Sequence, residues 1–352
     1  MLIFYDSFCM LLLNKKVIFS IILLLLSNEP AIAGTISAEE IFNKLGFSSA
    51  EKEKIANGEF VSKELSATHD RELAITIAFH VKMTIDELRN EIKKKPIITT
   101  DPGTIDWSSI SRDASLADFK MLDLGPDERE RSMAYLKAEP GIALNLSKDE
   151  ILAFNAIEVL PGQSPIKPTT EAVKKQLLER LRAYRQNGLS GIAPYERAKD
   201  NTSVSTFLRQ ASETLSTLKT IMPGLYNVLI DYPKNIPDEL SEEFIWHNYN
   251  AYGEPVFILL HQLEMADAEI FVVVQRQFYV SGSYNGGQSI SAFVPVENGK
   301  ATIVFYVNRV STDQISGLAS TLKRSMGSKI MINKLKDIFQ QSREKVEQNI
   351  QQ

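Results

Sequence analysis

Residues 270–282 read Ile-Phe-Val-Val-Val-Gln-Arg-Gln-Phe-Tyr-Val-Ser-Gly. A run this rich in β-branched and aromatic residues predicts a strand. Its first half, Phe271 to Val274, is apolar on both sides, as in a strand covered on both faces. Its second half alternates: Gln275, Gln277, Tyr279 and Ser281 fall on one side, Arg276, Phe278 and Val280 on the other. Working outward, strands are expected at 243–248, 255–264, 289–296 and 301–309. The turns between them fit, at 265–269, at Tyr284-Asn-Gly-Gly287 and at Glu297-Asn-Gly299. The last carries the Asn-Gly pair of a tight hairpin. Strands joined so closely form an antiparallel meander. A helical region follows from Gln314 to the C-terminus, with Gly327 expected to break it and 347–352 expected to fray.

Upstream, Ser37-Ala-Glu-Glu40, Thr84-Ile-Asp-Glu87 and Ser147-Lys-Asp-Glu150 are capping boxes that open helices. Strands are expected at 59–65 and 72–81. In the second, Leu73, Ile75, Ile77 and Phe79 alternate with Ala74, Thr76, Ala78 and His80, the pattern of a half-buried strand. A further strand is expected at 118–124. Prolines punctuate 95–170, and 161–168 is read as a linker. Val173, Leu177, Leu181 and Tyr184 lie on one face of a helix over 170–187 that Gly188 stops. Helices are also expected at 204–220 and 225–230. The fold class is therefore α+β: helical N-terminal and middle segments on a C-terminal antiparallel meander, closed by a long C-terminal helix. The expected division is 34–160, a linker at 161–168, a helical segment at 169–236, and 237–352 as one domain with 34–160.

The first 33 residues read as a cleavable export signal. Lys15 and Lys16 precede a ten-residue run from Val17 to Leu26, apolar apart from Ser20. Ala31-Ile-Ala33 then offers small residues at a cleavage point. The run is shorter than the roughly 20 residues of a membrane span. Met10 is the expected start, cleavage is expected after Ala33, and the destination is periplasmic or secreted, with no stable membrane anchor left behind. Cys9 is the only cysteine, so the exported chain has no disulfide.

The net charge is −5, and without a basic block there is no footprint for nucleic acid or for anionic lipid. No phosphate-binding loop occurs, and no cofactor is expected. Gly188-Leu-Ser190-Gly191 lacks the spacing of a serine nucleophile elbow. Glu242-Glu243 and Asp267 with Glu269 are paired acids at strand ends, where they solvate the chain. None of His69, His80, His247 and His261 has the close spacing of metal ligands. His247 and His261 fall on adjacent strands, so a site completed by Asp313 or Glu264 is the alternative enzymatic reading.

Two resemblances follow from these residues. Residues 184–195, Phe244-Ile-Trp-His247, Gly253-Glu-Pro255, His261, 275–284, Asn308-Arg309, Asp313 and Gly317 resemble uncharacterised exported proteins of Gram-negative bacteria. That resemblance brings no activity. The element order resembles the helix-grip fold of START and Bet v 1-like proteins, with about 150 mostly helical residues inserted. It implies a cavity for an apolar ligand between sheet and C-terminal helix.

The expected site is the polar side of the strand at 270–282. Gln275, Gln277, Tyr279 and Ser281 would orient a ligand in an apolar pocket. His261 is added to this set, Arg309 would supply charge for an anionic head group, and Trp246, Tyr249 and Tyr252 would form a rim. The leading functional expectation is a carrier for an apolar or amphipathic small molecule. A hydrolase using His247 or His261, and an envelope module binding protein partners, are the alternatives.

Overall fold

The computed structural model describes residues 37–94, 101–125, 127–251, 253–267, 270–317 and 319–350, with side chains described as far as Lys345. The stretch read as an export signal and the cleavage expected after Ala33, Tyr252, Glu269, and the side chains of the C-terminal tail lie outside the described residues. Ser37–Gln352 clusters as one compact unit.

Two short helices open the described chain, α1 (Ala38–Lys44) and α2 (Ser49–Ala56), each started by a complete capping box. Strands β1 (Val61–Glu64) and β2 (Glu72–Val81) pair antiparallel. Helix α3 (Ile85–Lys94) starts at the Thr84–Glu87 box. Then come β3 (Thr104–Ser109), α4 (Glu128–Leu136), α5 (Lys148–Asn155) and α6 (Ile166–Asn187). Three shorter helices follow: α7 (Val204–Glu213), α8 (Ser216–Ile221) and α9 (Pro223–Asp231). The meander is β4 (Ser241–Ala251), β5 (Glu254–Asp267), β6 (Ile270–Val280), β7 (Gly286–Val296) and β8 (Ala301–Ser311). The long helix α10 (Ser320–Ile350) ends the chain. The fold is α+β, as the sequence predicts.

All eight strands form one antiparallel sheet in the order β1-β2-β8-β7-β6-β5-β4-β3. Cross-strand partners share a face, so the register sorts the side chains. One face holds Ile75, Ile77, Phe79, Phe271, Val273, Phe293 and Val304. Against them pack Ile85, Leu88 and Ile92 of α3, with Met331, Ile332, Leu335 and Phe339 of α10. The other face is covered by α1, α2, α6, α7 and α9. Phe42 of α1 meets Phe305 at 4.8 Å, and Tyr184 of α6 stacks on Phe278 at 4.2 Å.

Four expectations need correction. Strand β2 is buried along its whole length rather than on one side, because α2 and α10 lie on opposite faces of it. Residues 118–124 are not a strand. The Asp118 carboxylate accepts backbone N–H groups of Ser111 and Ser115, which tightens the chain into a 3₁₀ turn at Leu116–Phe119. Gly327 does not break α10; a Cβ there would lie 3.1 Å from Leu73, so the glycine lets helix and strand approach. The proline-rich stretch 161–168 already contains the start of α6 at Ile166, with Pro168 in the first turn, where a missing N–H costs nothing.

Helix α10 lies along β2, from Gly327 against Leu73 to Arg343, which donates to the carbonyl of His80. Yet Lys334, midway along it, donates to the Tyr249 hydroxyl on β4 and sits 3.6 Å from Asp101. Strands β2 and β4 are five places apart in the sheet, about 24 Å if it were flat. That gap exceeds the reach of one lysine. The sheet must therefore curl toward α10, which makes the α10 face concave.

Candidate functional site

The decisive local feature is a bulge in β6. Leu260 pairs with Gln277 and Leu259 with Tyr279, leaving Phe278 as an extra residue. An extra residue reverses which side the following side chains take. Gln275 and Gln277 therefore point to the concave face, whereas Tyr279 and Ser281 join Arg276 and Phe278 on the other. The single polar face expected from strict alternation is split between two environments.

The concave face carries a polar row. Gln262, Gln275, Ser289 and Asn308 stand side by side on β5, β6, β7 and β8. Gln275 donates to the Gln262 carbonyl oxygen at 2.9 Å. The Asn308 amide meets the Met331 sulfur of α10 at 3.5 Å. Gln277 accepts from the Tyr284 hydroxyl at 2.9 Å. Gln275, Gln277, Ser289 and Asn308 are half-buried. On one side of the row lies the Phe271–Phe293–Val304 cluster; on the other lie Ile245, Ile258, Leu260 and Val280, with Trp107, Tyr249 and Tyr284 at their margin. His247 also faces this side. Its Nε2 lies 3.1 Å from the Thr104 hydroxyl, and burial lowers its pKa to about 4. Burial likewise pushes the Tyr306 hydroxyl up to about 12.

The opposite face holds a buried relay. Glu242 lies 3.0 Å from His261 Nε2, and the Tyr184 hydroxyl lies 3.2 Å from His261 Nδ1. A carboxylate only accepts, so Nε2 carries the proton and Nδ1 accepts from Tyr184. The Tyr184 oxygen in turn accepts from Arg276 at 3.3 Å. Arg276 also donates to Ser212, Gln288 and the Leu229 carbonyl. Burial lowers the His261 pKa to about 4, while the hydrogen bond from His261 holds Glu242 below the usual carboxylate range.

The remaining predicted residues are engaged elsewhere. Arg309 is buried and paired with Glu72 at 2.9 Å, so its charge is neutralised inside the protein. Trp246 is buried on the relay face and donates to the Asp118 carbonyl at 2.7 Å. The Tyr279 hydroxyl accepts from Gln176, and Arg180 stacks over its ring at 4.3 Å while pairing with Glu150. The Ser281 hydroxyl accepts the Phe257 N–H. His247 pairs with Ile258 across the ladder and His261 with Phe244. The two imidazoles therefore sit on opposite faces and do not form one site. Asp313 is held by Arg197 and Arg71. Sequence reasoning missed Gln262, Ser289, Asn308 and Lys334; the half-polar pattern of 288–291 was the available signal.

Among the described residues there is no group of three or more His, Cys, Asp or Glu placed to hold a metal, and no helix long and apolar enough to cross a membrane. A surface cleft of about 350 Å³ gathers Arg112, Arg182 and Arg185. Arg182 and Arg185 already donate to the carbonyls of 110–114. No family model matches the chain, and no curated protein or solved structure shows significant similarity to it.

Proposed function

We propose that the protein is an exported carrier that holds an apolar or amphipathic small molecule between the concave face of the sheet and α10. The observation that carries this reading is the row of buried Gln262 and half-buried Gln275, Ser289 and Asn308, set between two apolar clusters. A few orienting polar groups in an apolar concavity are the ordinary composition of a ligand site. The element order adds support. The early strand β2 pairs with the last strand β8, and α10 packs on the concave face of the sheet. The inserted helices α6, α7 and α9 pack on the other face and leave the concave side to α3 and α10.

The hydrolase reading finds one point of support in the Glu242–His261–Tyr184 chain. Against it, both nitrogens of His261 are already engaged and its side chain is fully buried, so neither is open to a substrate or a water.

Native mass spectrometry of protein purified from its own compartment tests the carrier. A small molecule should co-purify with the wild type. Ser289→Trp, which fills the middle of the row, should lose it while keeping the wild-type circular dichroism spectrum. An empty wild type that also fails to bind a fluorescent long-chain amphiphile at micromolar concentration would overturn the proposal.

A further inference from the structure

We infer that the outer face of α10 docks on an anionic lipid surface. Leu322, Met326 and Ile330 are spaced i, i+4, i+8, so they form one stripe. They are 63%, 56% and 50% exposed, although all three are large apolar residues. Lys323 and Lys329 lie three residues either side of Met326, and both are exposed. From Ser320 to Lys336 the helix carries Lys323, Arg324, Lys329, Lys334 and Lys336 and no Asp or Glu, in a chain whose net charge is −5. An apolar stripe flanked by cations is the composition of a helix lying in a membrane interface. The apolar side chains enter the acyl boundary while the lysines extend to the head groups.

The charge decides between occupants. A second copy of this face would bring Lys323 and Lys329 against their own kind. A folded protein partner reads a helix best through a groove of its own, whereas this stripe is convex and its three side chains are flexible or branched aliphatics without an aromatic anchor. A fluid anionic surface satisfies both the apolar stripe and its flanking charge. The docking inference stands on α10 alone. Combined with the carrier reading, it sets α10, one wall of the concave site, against the lipid from which an amphipathic ligand would come.

The test uses the chain from Gly34 onward, which contains the compact unit, with vesicles of phosphatidylcholine alone or mixed with phosphatidylglycerol. The protein should sediment with the anionic vesicles only, and less so as salt rises. Lys323→Gln and Lys329→Gln should each weaken partition about fivefold. Leu322→Ser/Met326→Ser/Ile330→Ser should weaken it on the order of tenfold or more without changing the unfolding midpoint, since the side chains are exposed. Ile330→Trp should shift its emission to the blue with anionic vesicles. Absence of partition, or equal partition by the triple variant, would overturn the inference. So would a wild-type dimer that the triple variant abolishes. Loss of vesicle binding with ligand retained sinks docking and spares the carrier; the reverse result does the opposite.

Discussion

Arg276 is fully buried, and its hydrogen-bond partners are all neutral: the Tyr184 and Ser212 hydroxyls, the Gln288 amide and the Leu229 carbonyl. From Arg276 the hydrogen-bond chain runs through Tyr184 and His261 to the Glu242 carboxylate. The strand pattern around 276 signals that an arginine on the core side needs a partner. It does not say which, because the partners come from α6, α7, α9 and β7, far away in the chain. The same burial sets a pH dependence. His247 and His261 are both held near pKa 4 against an ordinary 6.5, chiefly by desolvation. As pH falls below 6.5 the unfolded chain takes up these protons and the folded chain does not. Stability is therefore full above about pH 6.5 and declines toward pH 4, by up to about 1.4 kcal/mol per pH unit for each histidine. Urea midpoints measured from pH 7.5 to 5 should show this slope. His247→Gln and His261→Gln should each flatten it, whatever their effect at pH 7.5. A variant slope parallel to the wild type would show that the histidine is not buried in its neutral form.

At the scale of elements, the meander, the capped helices and the buried stripe of α6 were legible, because each rests on local pattern. Val173, Leu177, Leu181 and Tyr184 are all buried, as their spacing requires. The candidate site was less legible, because one residue decided it. The bulge at Phe278 contains no glycine or proline to announce it, and it moves Tyr279 and Ser281 away from Gln275 and Gln277. Strand β2 was misjudged for a related reason. Ala74, Thr76 and Ala78 are small enough to be covered by α2, and a small residue reads as polar-side in an alternating pattern. The stop at Gly188 illustrates a local signal enforced by tertiary packing. Gly188 has φ +57°, and a Cβ there would meet the Tyr232 carbonyl oxygen at 1.7 Å. Gly188→Ala should therefore cost on the order of 3 kcal/mol, since the joint between α6 and the end of α9 must shift as well as strain. Chemical denaturation should show that loss in the unfolding midpoint. A change below about 0.5 kcal/mol, the range of an ordinary surface substitution, would mean the joint is loose.

Across the whole molecule, net charge and overall composition concealed the two surfaces on which the functional reading rests. A balance of −5 says nothing about Lys323 and Lys329 flanking an apolar stripe on one helix, and no local pattern reports that a sheet curls. The curl is held where Lys334 of α10 meets Tyr249 and Asp101, with the Tyr249 hydroxyl donating to Asp101 at 2.9 Å. Lys334 keeps 40% of its side chain exposed, so the ion pair itself contributes little to global stability, about 1 kcal/mol or less. Its effect should instead be local, on how closely α10 stays over the concave face. Lys334→Ala should leave the thermal midpoint nearly unchanged while amides along α10 near Met331 and Leu335 exchange hydrogen faster and those of β6 do not. Tyr249→Phe keeps the ring and the Lys334–Asp101 pair but removes the hydroxyl between them, and should give the same effect at smaller amplitude. Faster exchange throughout the sheet in either variant would mean that the clasp supports the core rather than the grip of the helix. Unchanged exchange in both would mean that packing of Phe339 on Phe79 and of Gly327 on Leu73 is enough to hold α10 in place.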